Sequence, residues 1–261
     1  MYLRYWRSVP NWGDSISPYI FEKLSGQRPA ALNSRGSSPG KDPVYLATGS
    51  ILSWCCPKAE IWGTGFMRPN AKRVRAPRKV HAVRGPLTRE LLRGMDIECP
   101  EVYGDPAVIF PTIYNPKGIQ KWFDVGVIPH YVDKQHPWVR SVKGRTDVRV
   151  IDIMRDVEGF VKDLLSCKLI ISSSLHGLIA ADAYGIPSIR VILSGRIGGG
   201  NFKYDDYYAS LGCDHKVIRA APNTPIETIM DMAELHTPSL DMRRRLLAAC
   251  PFNKLGVEAT V

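Results

Sequence analysis

Short apolar runs that stop at a glycine, an arginine or a cluster of small hydroxyl residues, each followed by a helical pattern, recur along this chain and set its fold class. Such alternation is the pattern of a parallel sheet with helical crossovers, so an α/β fold is expected. In the first half, Val44–Ala47 reads as a strand closing on Gly49, Glu60–Trp62 as one closing on Gly63, and Lys79–Val83 as one closing on Arg84. Ser15–Leu24 reads as a helix with Asp14 as its N-cap and Gly26 as its stop. Pro86–Arg93 reads as a second helix, with proline in its first turn and Gly94 at its end. Glu101–Tyr103 is a short strand before Gly104-Asp105-Pro106.

Periodicity is lost around residues 111–121, where Pro, Asn and Gly gather, and a lobe boundary is expected there. A second series then begins with the strand Val125–Ile128, followed by Val148–Asp152, a helix over Gly159–Ser166, and the strand Leu169–Ser172. A helix over Leu178–Tyr184 ends at Gly185, and Ser188–Ile192 is the next strand. The expected organisation is two Rossmann-like lobes, residues 1–115 and 116–261, a length that suffices for two buried cores. Residues 195–208 read as a mobile loop whose aromatic side chains suit sugar stacking, or as a plain surface loop. Ile226–Leu247 reads as a helix that packs back across the lobes, or as a basic amphipathic surface resting on a membrane.

The formal charge is +10, from 35 Lys and Arg against 25 Asp and Glu. An anionic partner is therefore expected, be it nucleic acid, a membrane face or a small phosphorylated substrate. Basic residues cluster over Arg68–Arg93 and Arg140–Arg155, where a solvated face is the plain alternative. The six cysteines include no C-x-x-C pair and read as reduced thiols of a cytosolic protein. No metal-ligand constellation stands out, and no apolar run reaches the length of a signal peptide core or a membrane span.

The sharpest local signal is Ile170-Ile171-Ser172-Ser173-Ser174-Leu175-His176-Gly177, a strand that ends in hydroxyl residues before a helix. Open α/β sheets bind ligands at the carboxyl ends of their strands, and a helix N-terminus there attracts anions. His176 then stands where a phosphate or carboxylate would sit and can exchange a proton near neutral pH, or it only caps the helix. Asn11-Trp12-Gly13-Asp14 lets a backbone approach a ligand, and Asp14 could take a hydroxyl proton or serve as a cap. Arg84, at a strand-to-helix junction, suits a carboxylate or phosphate, or is a surface arginine. Asp105 and His130 end two further strands, where they line a site or form ordinary turns.

Taken in order, NWGDSIS, GTGF, VRGPLT, YGDPAV, VIPHYVD and SSSLHGLIAADAYGIP resemble the polysaccharide pyruvyltransferases, in particular their short bacterial members of the succinoglycan ketolase type, over residues 11–192. The resemblance implies a glycosyltransferase type B-like pair of lobes facing across a cleft, with the acceptor on the N-terminal side and the donor on the C-terminal side. It implies phosphoenolpyruvate as donor, no separate cofactor, and a sugar or lipid-linked oligosaccharide as acceptor in exopolysaccharide synthesis. The enzyme would be cytoplasmic or peripheral on the inner membrane face, without a nucleic-acid partner. Carried onto this chain, the family's donor contacts are Arg84, Leu175 and His176, and Ser173, Ser174 and Gly177 beside them are expected to contact the donor as well. Acceptor contacts are Asn11, Trp12, Asp14 and His130, and the catalytic groups are His176 as acid with Asp14 or Asp105 as base. Many relatives carry arginine where this chain has Ser174, so the matching anion contact either is absent or falls to Arg190, Arg196 or another basic side chain. Two other classes compete: a nucleotide-sugar glycosyltransferase of the same fold, and a non-catalytic basic module binding anions or nucleic acid.

Overall fold

The computed structural model describes residues 1–33, 36, 38 and 40–259. Its elements begin with strand β1 (Tyr2–Arg4), helix α1 (Trp12–Ser25) and strands β2 (Ala30–Leu32), β3 (Val44–Leu46), β4 (Ala59–Trp62) and β5 (Lys79–Ala82), followed by α2 (Pro86–Arg93) and the one-turn α3 (Phe110–Ile113). The second series is β6 (Phe123–Ile128), α4 (Pro137–Val142), β7 (Val148–Val150), α5 (Val157–Leu165), β8 (Cys167–Ser172), α6 (Leu175–Ala183) and β9 (Ser188–Ile192). The chain closes with α7 (Phe202–Ser210), β10 (Val217–Arg219), α8 (Ile226–Met230) and α9 (Leu240–Ala248).

These elements form two compact units, one of Met1–Ile113, Gly199–Cys213 and Pro238–Val261, the other of Tyr114–Gly198 and Asp214–Thr237. Each holds a five-stranded sheet in which every neighbouring pair is parallel. The first sheet runs β2-β1-β3-β4-β5, and the second, read from its far edge, runs β7-β6-β8-β9-β10. Both are therefore second-first-third-fourth-fifth, a doubly wound order of the flavodoxin type within the broad Rossmann-like class. The core of the first sheet is built around Leu46, Ile61, Val80, Val83 and Leu92, and that of the second around Val125, Val127, Ile171, Ile189 and Val191. Burial of both faces explains why the strands read as unbroken apolar runs rather than alternating ones.

The division differs from a single cut near residue 115, because residues 199–213 and 238–261 group with the first unit. Packing explains the return of the tail. The Trp62 indole donates to Leu246 O at 2.8 Å, and Phe252 lies 4.4 Å from the Phe21 ring and 5.2 Å from the Trp62 ring. The tail is therefore two short helices in different units rather than one helix over 226–247. Leu246 and Leu247 are buried, so α9 does not present an apolar face to a membrane. Among the described residues no helix is long and apolar enough to cross a membrane.

Residues 201–208 are not a loop. They lie at the start of and within α7, and Tyr204, Tyr207 and Tyr208 are buried, which removes them as sugar-stacking platforms. Glu101–Tyr103 contributes only a bridge from Tyr103 to Val83. The basic stretch 68–78 is mostly exposed and without regular structure, with Arg73 paired to Asp96 and Arg78 to Glu60.

Candidate active site

In a doubly wound sheet, the helices that follow the first and third strands leave on opposite faces, which opens a binding position at the carboxyl ends of those strands. In the first unit this position is framed by the ends of β1 and β3. In the second it is framed by the ends of β6 and β8.

The second position collects most of the predicted donor residues. Ser172, at the end of β8, donates to Ile128 O at 2.8 Å and accepts from Ser174 N at 3.0 Å, which turns the chain sharply into α6. The helix starts at Leu175, three residues earlier than periodicity suggests, with Ser174 as its N-cap in an extended conformation. His176 and Gly177 thus occupy the first helical turn, where the helix dipole favours negative charge, and His176 is half-buried rather than a cap. A Cβ on Gly177 would stand 2.4 Å from Ser172 Oγ, so only glycine lets this turn approach the strand so closely. Leu175 is buried and serves packing. His130, expected with the acceptor residues, instead sits here: its N–H donates to Ser173 Oγ at 2.9 Å and its ring lies 4.2 Å from the Tyr131 ring.

At the first position, Asn11 rather than Asp14 caps α1. The Asn11 side chain accepts from Asp14 N and donates back to the Asp14 carboxylate. Asp14 is half-buried in the first turn, again where a negative charge is favoured. The end of β3 is tied to this turn by Thr48, whose hydroxyl donates to Gly13 O at 2.8 Å and meets Ser17 Oγ. Trp12 is fully buried, edge-on to Phe110 with centroids 5.3 Å apart, so its ring belongs to the core. Asp105 is also fully buried and accepts from Ala107 N at 3.0 Å, capping the turn Pro106–Ile109.

Arg84 belongs to the first unit and His176 to the second. The Arg84 side chain is 0% exposed. Its Nε donates to Asp206 Oδ2 at 2.9 Å, Nη1 to Ser50 Oγ at 2.7 Å and Nη2 to Phe66 O at 2.7 Å. The same carboxylate accepts from Thr88 N at 2.8 Å and from the Thr88 hydroxyl at 2.7 Å. Gly85 is the N-cap of α2 and has no side chain to satisfy the first-turn donors, so Asp206, on α7, supplies that cap from elsewhere in the chain. A Cβ on Gly85 would lie 1.8 Å from Asp206 O, which excludes any larger residue. The motifs GTGF and VRGPLT are in this way held together by a buried ion pair, and Arg84 is a structural arginine rather than a surface one.

Two acidic residues of consequence escaped the sequence reading. Asp206 lay in what looked like a loop, and Asp133, in the VIPHYVD motif, is fully buried beside Ser173. The hydroxyl-rich end of β8 was the only signal for the latter. Arg190 is nearly buried, with Nη1 3.2 Å from His215 Nε2. Burial, with the Arg190 charge next, pushes the His215 imidazole down to about 4. Among the described residues no group of three or more His, Cys, Asp or Glu is arranged to hold a metal ion.

The model of the family described as polysaccharide pyruvyl transferase matches residues 61–194, just over half of the chain. The chain is 25% identical over 238 residues to the succinoglycan biosynthesis protein ExoV of Rhizobium meliloti (strain 1021), covering 87% of this chain and 70% of that one. It is 29% identical over 219 residues to the uncharacterized protein L143 of Acanthamoeba polyphaga mimivirus, covering 82% and 75%. The matched stretch runs from β4, through the Arg84 and Asp206-capped α2, to the end of β9, and so contains the whole strand edge that carries His176. On this match the chain belongs to the polysaccharide pyruvyl transferase family, enzymes of pyruvyl transfer to a saccharide acceptor.

Proposed function

We propose that the enzyme transfers the enolpyruvyl skeleton of phosphoenolpyruvate to two hydroxyls of one sugar in an exopolysaccharide or its precursor, closing a cyclic ketal and releasing inorganic phosphate. The observation that carries this reading is His176. It stands in the first turn of α6, at the carboxyl end of β8, inside the stretch that matches the family.

In the proposed reaction His176 delivers a proton to C3 of the enol, turning CH2 into CH3, while one sugar hydroxyl adds to C2. The C2–O bond to phosphate then breaks, and the second hydroxyl takes the resulting oxocarbenium-like centre. Of the two hydroxyl protons, one restores His176 and the other leaves with phosphate, so the reaction balances without a redox partner. The helix dipole and the backbone N–H groups at the start of α6 favour the anionic donor. Asp14, half-buried in the first turn of α1, is the candidate base toward the acceptor, whereas Asp105 is fully buried and caps the turn Pro106–Ile109. Arg84 is engaged with Asp206, Ser50 and Phe66 inside the first unit and offers no free guanidinium.

The test is to incubate purified enzyme with phosphoenolpyruvate and a panel of galactose-, glucose- and mannose-terminated acceptors. Phosphate release that depends on acceptor, with a product heavier by one pyruvate ketal, is the expected outcome. Release of a nucleotide from sugar nucleotides, with phosphoenolpyruvate untouched, would transfer the enzyme to the glycosyltransferases.

A further inference from the structure

We infer that Asp133 is a positioning residue of the second unit and that it presents Arg196 to the anionic donor, an inference that rests on the donor reading above. Asp133 ends the turn Tyr131–Asp133 after β6 and is fully buried. A buried carboxylate persists only where donors surround it. Here Ser173 Oγ donates to Oδ2 at 3.0 Å, Ser194 Oγ donates to Oδ1, and Arg196 Nη2 stands 3.9 Å from Oδ1.

Both hydroxyls are themselves held in place. Ser173 Oγ accepts from His130 N at 2.9 Å, and Ser194 Oγ accepts from Arg196 N at 3.2 Å. One carboxylate therefore joins the chain beyond three neighbouring strands, β6, β8 and β9, at the edge where His176 begins α6. Hydroxyl-to-carboxylate bonds of this kind are charge-assisted and fix both partners.

One arginine lies within β9 and another beyond it, and their settings differ. Arg190 is 5% exposed and faces His215, so it is closed to a ligand. The Arg196 side chain keeps 63% of its exposure. It donates through Nη2 to Val132 O, beside the Asp133 carboxylate, and its Nε and Nη1 have no hydrogen-bond partner among the described residues. A planar guanidinium fixed through one nitrogen offers its remaining N–H groups in a preset direction, which suits paired oxygens of a carboxylate or phosphate. Without Asp133, the same side chain would lose its charge partner and keep only the bond to Val132 O.

Steady-state kinetics with phosphoenolpyruvate test the inference. Arg196→Gln is expected to raise KM for phosphoenolpyruvate on the order of 10- to 100-fold, with a much smaller change in kcat, since the lost contact serves substrate and transition state alike. Asp133→Asn keeps the side-chain size and removes the charge, and should raise KM in the same direction. The double variant should be little worse than Arg196→Gln alone, because both act through one guanidinium. Arg196→Gln is at the surface and decides the matter even where Asp133→Asn does not fold. A KM within about twofold of wild type for Arg196→Gln overturns the inference, as does an Asp133→Asn enzyme that loses kcat and thermal stability with KM unchanged. Wild-type enzyme that neither binds phosphoenolpyruvate by calorimetry nor releases phosphate from it sinks the donor reading, and this inference with it. Wild-type turnover with an indifferent Arg196→Gln sinks only this inference.

Discussion

In the first unit the arginine at the end of β5 commits its guanidinium to Asp206, Ser50 and Phe66, whereas in the second the arginine beyond β9 keeps most of its side chain in solvent. The sheets share one strand order, so the difference does not come from topology. It comes from what covers the strand ends. Over β5, α7 returns from residues 202–210 and brings a carboxylate into a sealed position, and the ion pair becomes part of the core. Beyond β6 and β9 the chain stays in turns and beyond β8 it passes into α6, and hydroxyls and one buried acid hold this edge without closing it. The same fold thus uses charge for cohesion in one half and for presentation in the other.

The largest expected effect lies in the sealed half. Asp206→Ala strands a buried guanidinium and uncaps α2, and should cost about 3–5 kcal/mol of stability, a fall in Tm of roughly 6–20 °C. Thermal unfolding of the variant measures this, and a loss below about 1 kcal/mol would mean that the pair does not anchor the first unit. In the open half, His176→Ala should lower turnover on the order of 10²-fold or more while leaving Tm close to wild type. Comparable turnover would remove His176 as the acid.

The smallest effect separates the strand edge that carries the site from another polar region of the same unit. His215 faces Arg190, His236 and Asp214, and burial and the Arg190 charge hold its imidazole at about 4. Between about pH 6.5 and pH 4 the unfolded chain binds a proton there that the folded chain refuses, so stability falls as pH drops through this window and is flat in this term above it. The imidazole is partly solvated, so the contribution is about 1–2 kcal/mol rather than the full shift. The fall in unfolding free energy from pH 7.5 to pH 4.5, measured by urea melts, should be larger for wild type than for His215→Gln by this amount, and an equal fall would assign the acid sensitivity to other groups.

Much of the fold was legible because its signals are local. Pro86–Arg93 and Ser188–Ile192 match the expected bounds, since proline, glycine and apolar runs act over a few residues. Capping was harder: Asn11 and Ser174 set helix starts that periodicity placed elsewhere or left to a neighbour, because caps depend on one backbone rotation. Of the candidate site residues, Ser173, Ser174, Gly177, His176 and His130 gather at one strand edge, and Asn11 and Asp14 at the other sheet's edge. Trp12, Asp105 and Leu175 are buried, which composition cannot foretell.

The sequence alone determined the two β-α series, the hydroxyl-rich end of β8 and the order of motifs that marks the family. Only the tertiary structure decided which charges are buried and with whom. Asp206 lies 122 residues from Arg84, and Asp133 lies 40 from Ser173 and 61 from Ser194. Local propensity falls off within a helical turn, whereas the partner of a buried charge is chosen by the packing of elements distant in the chain.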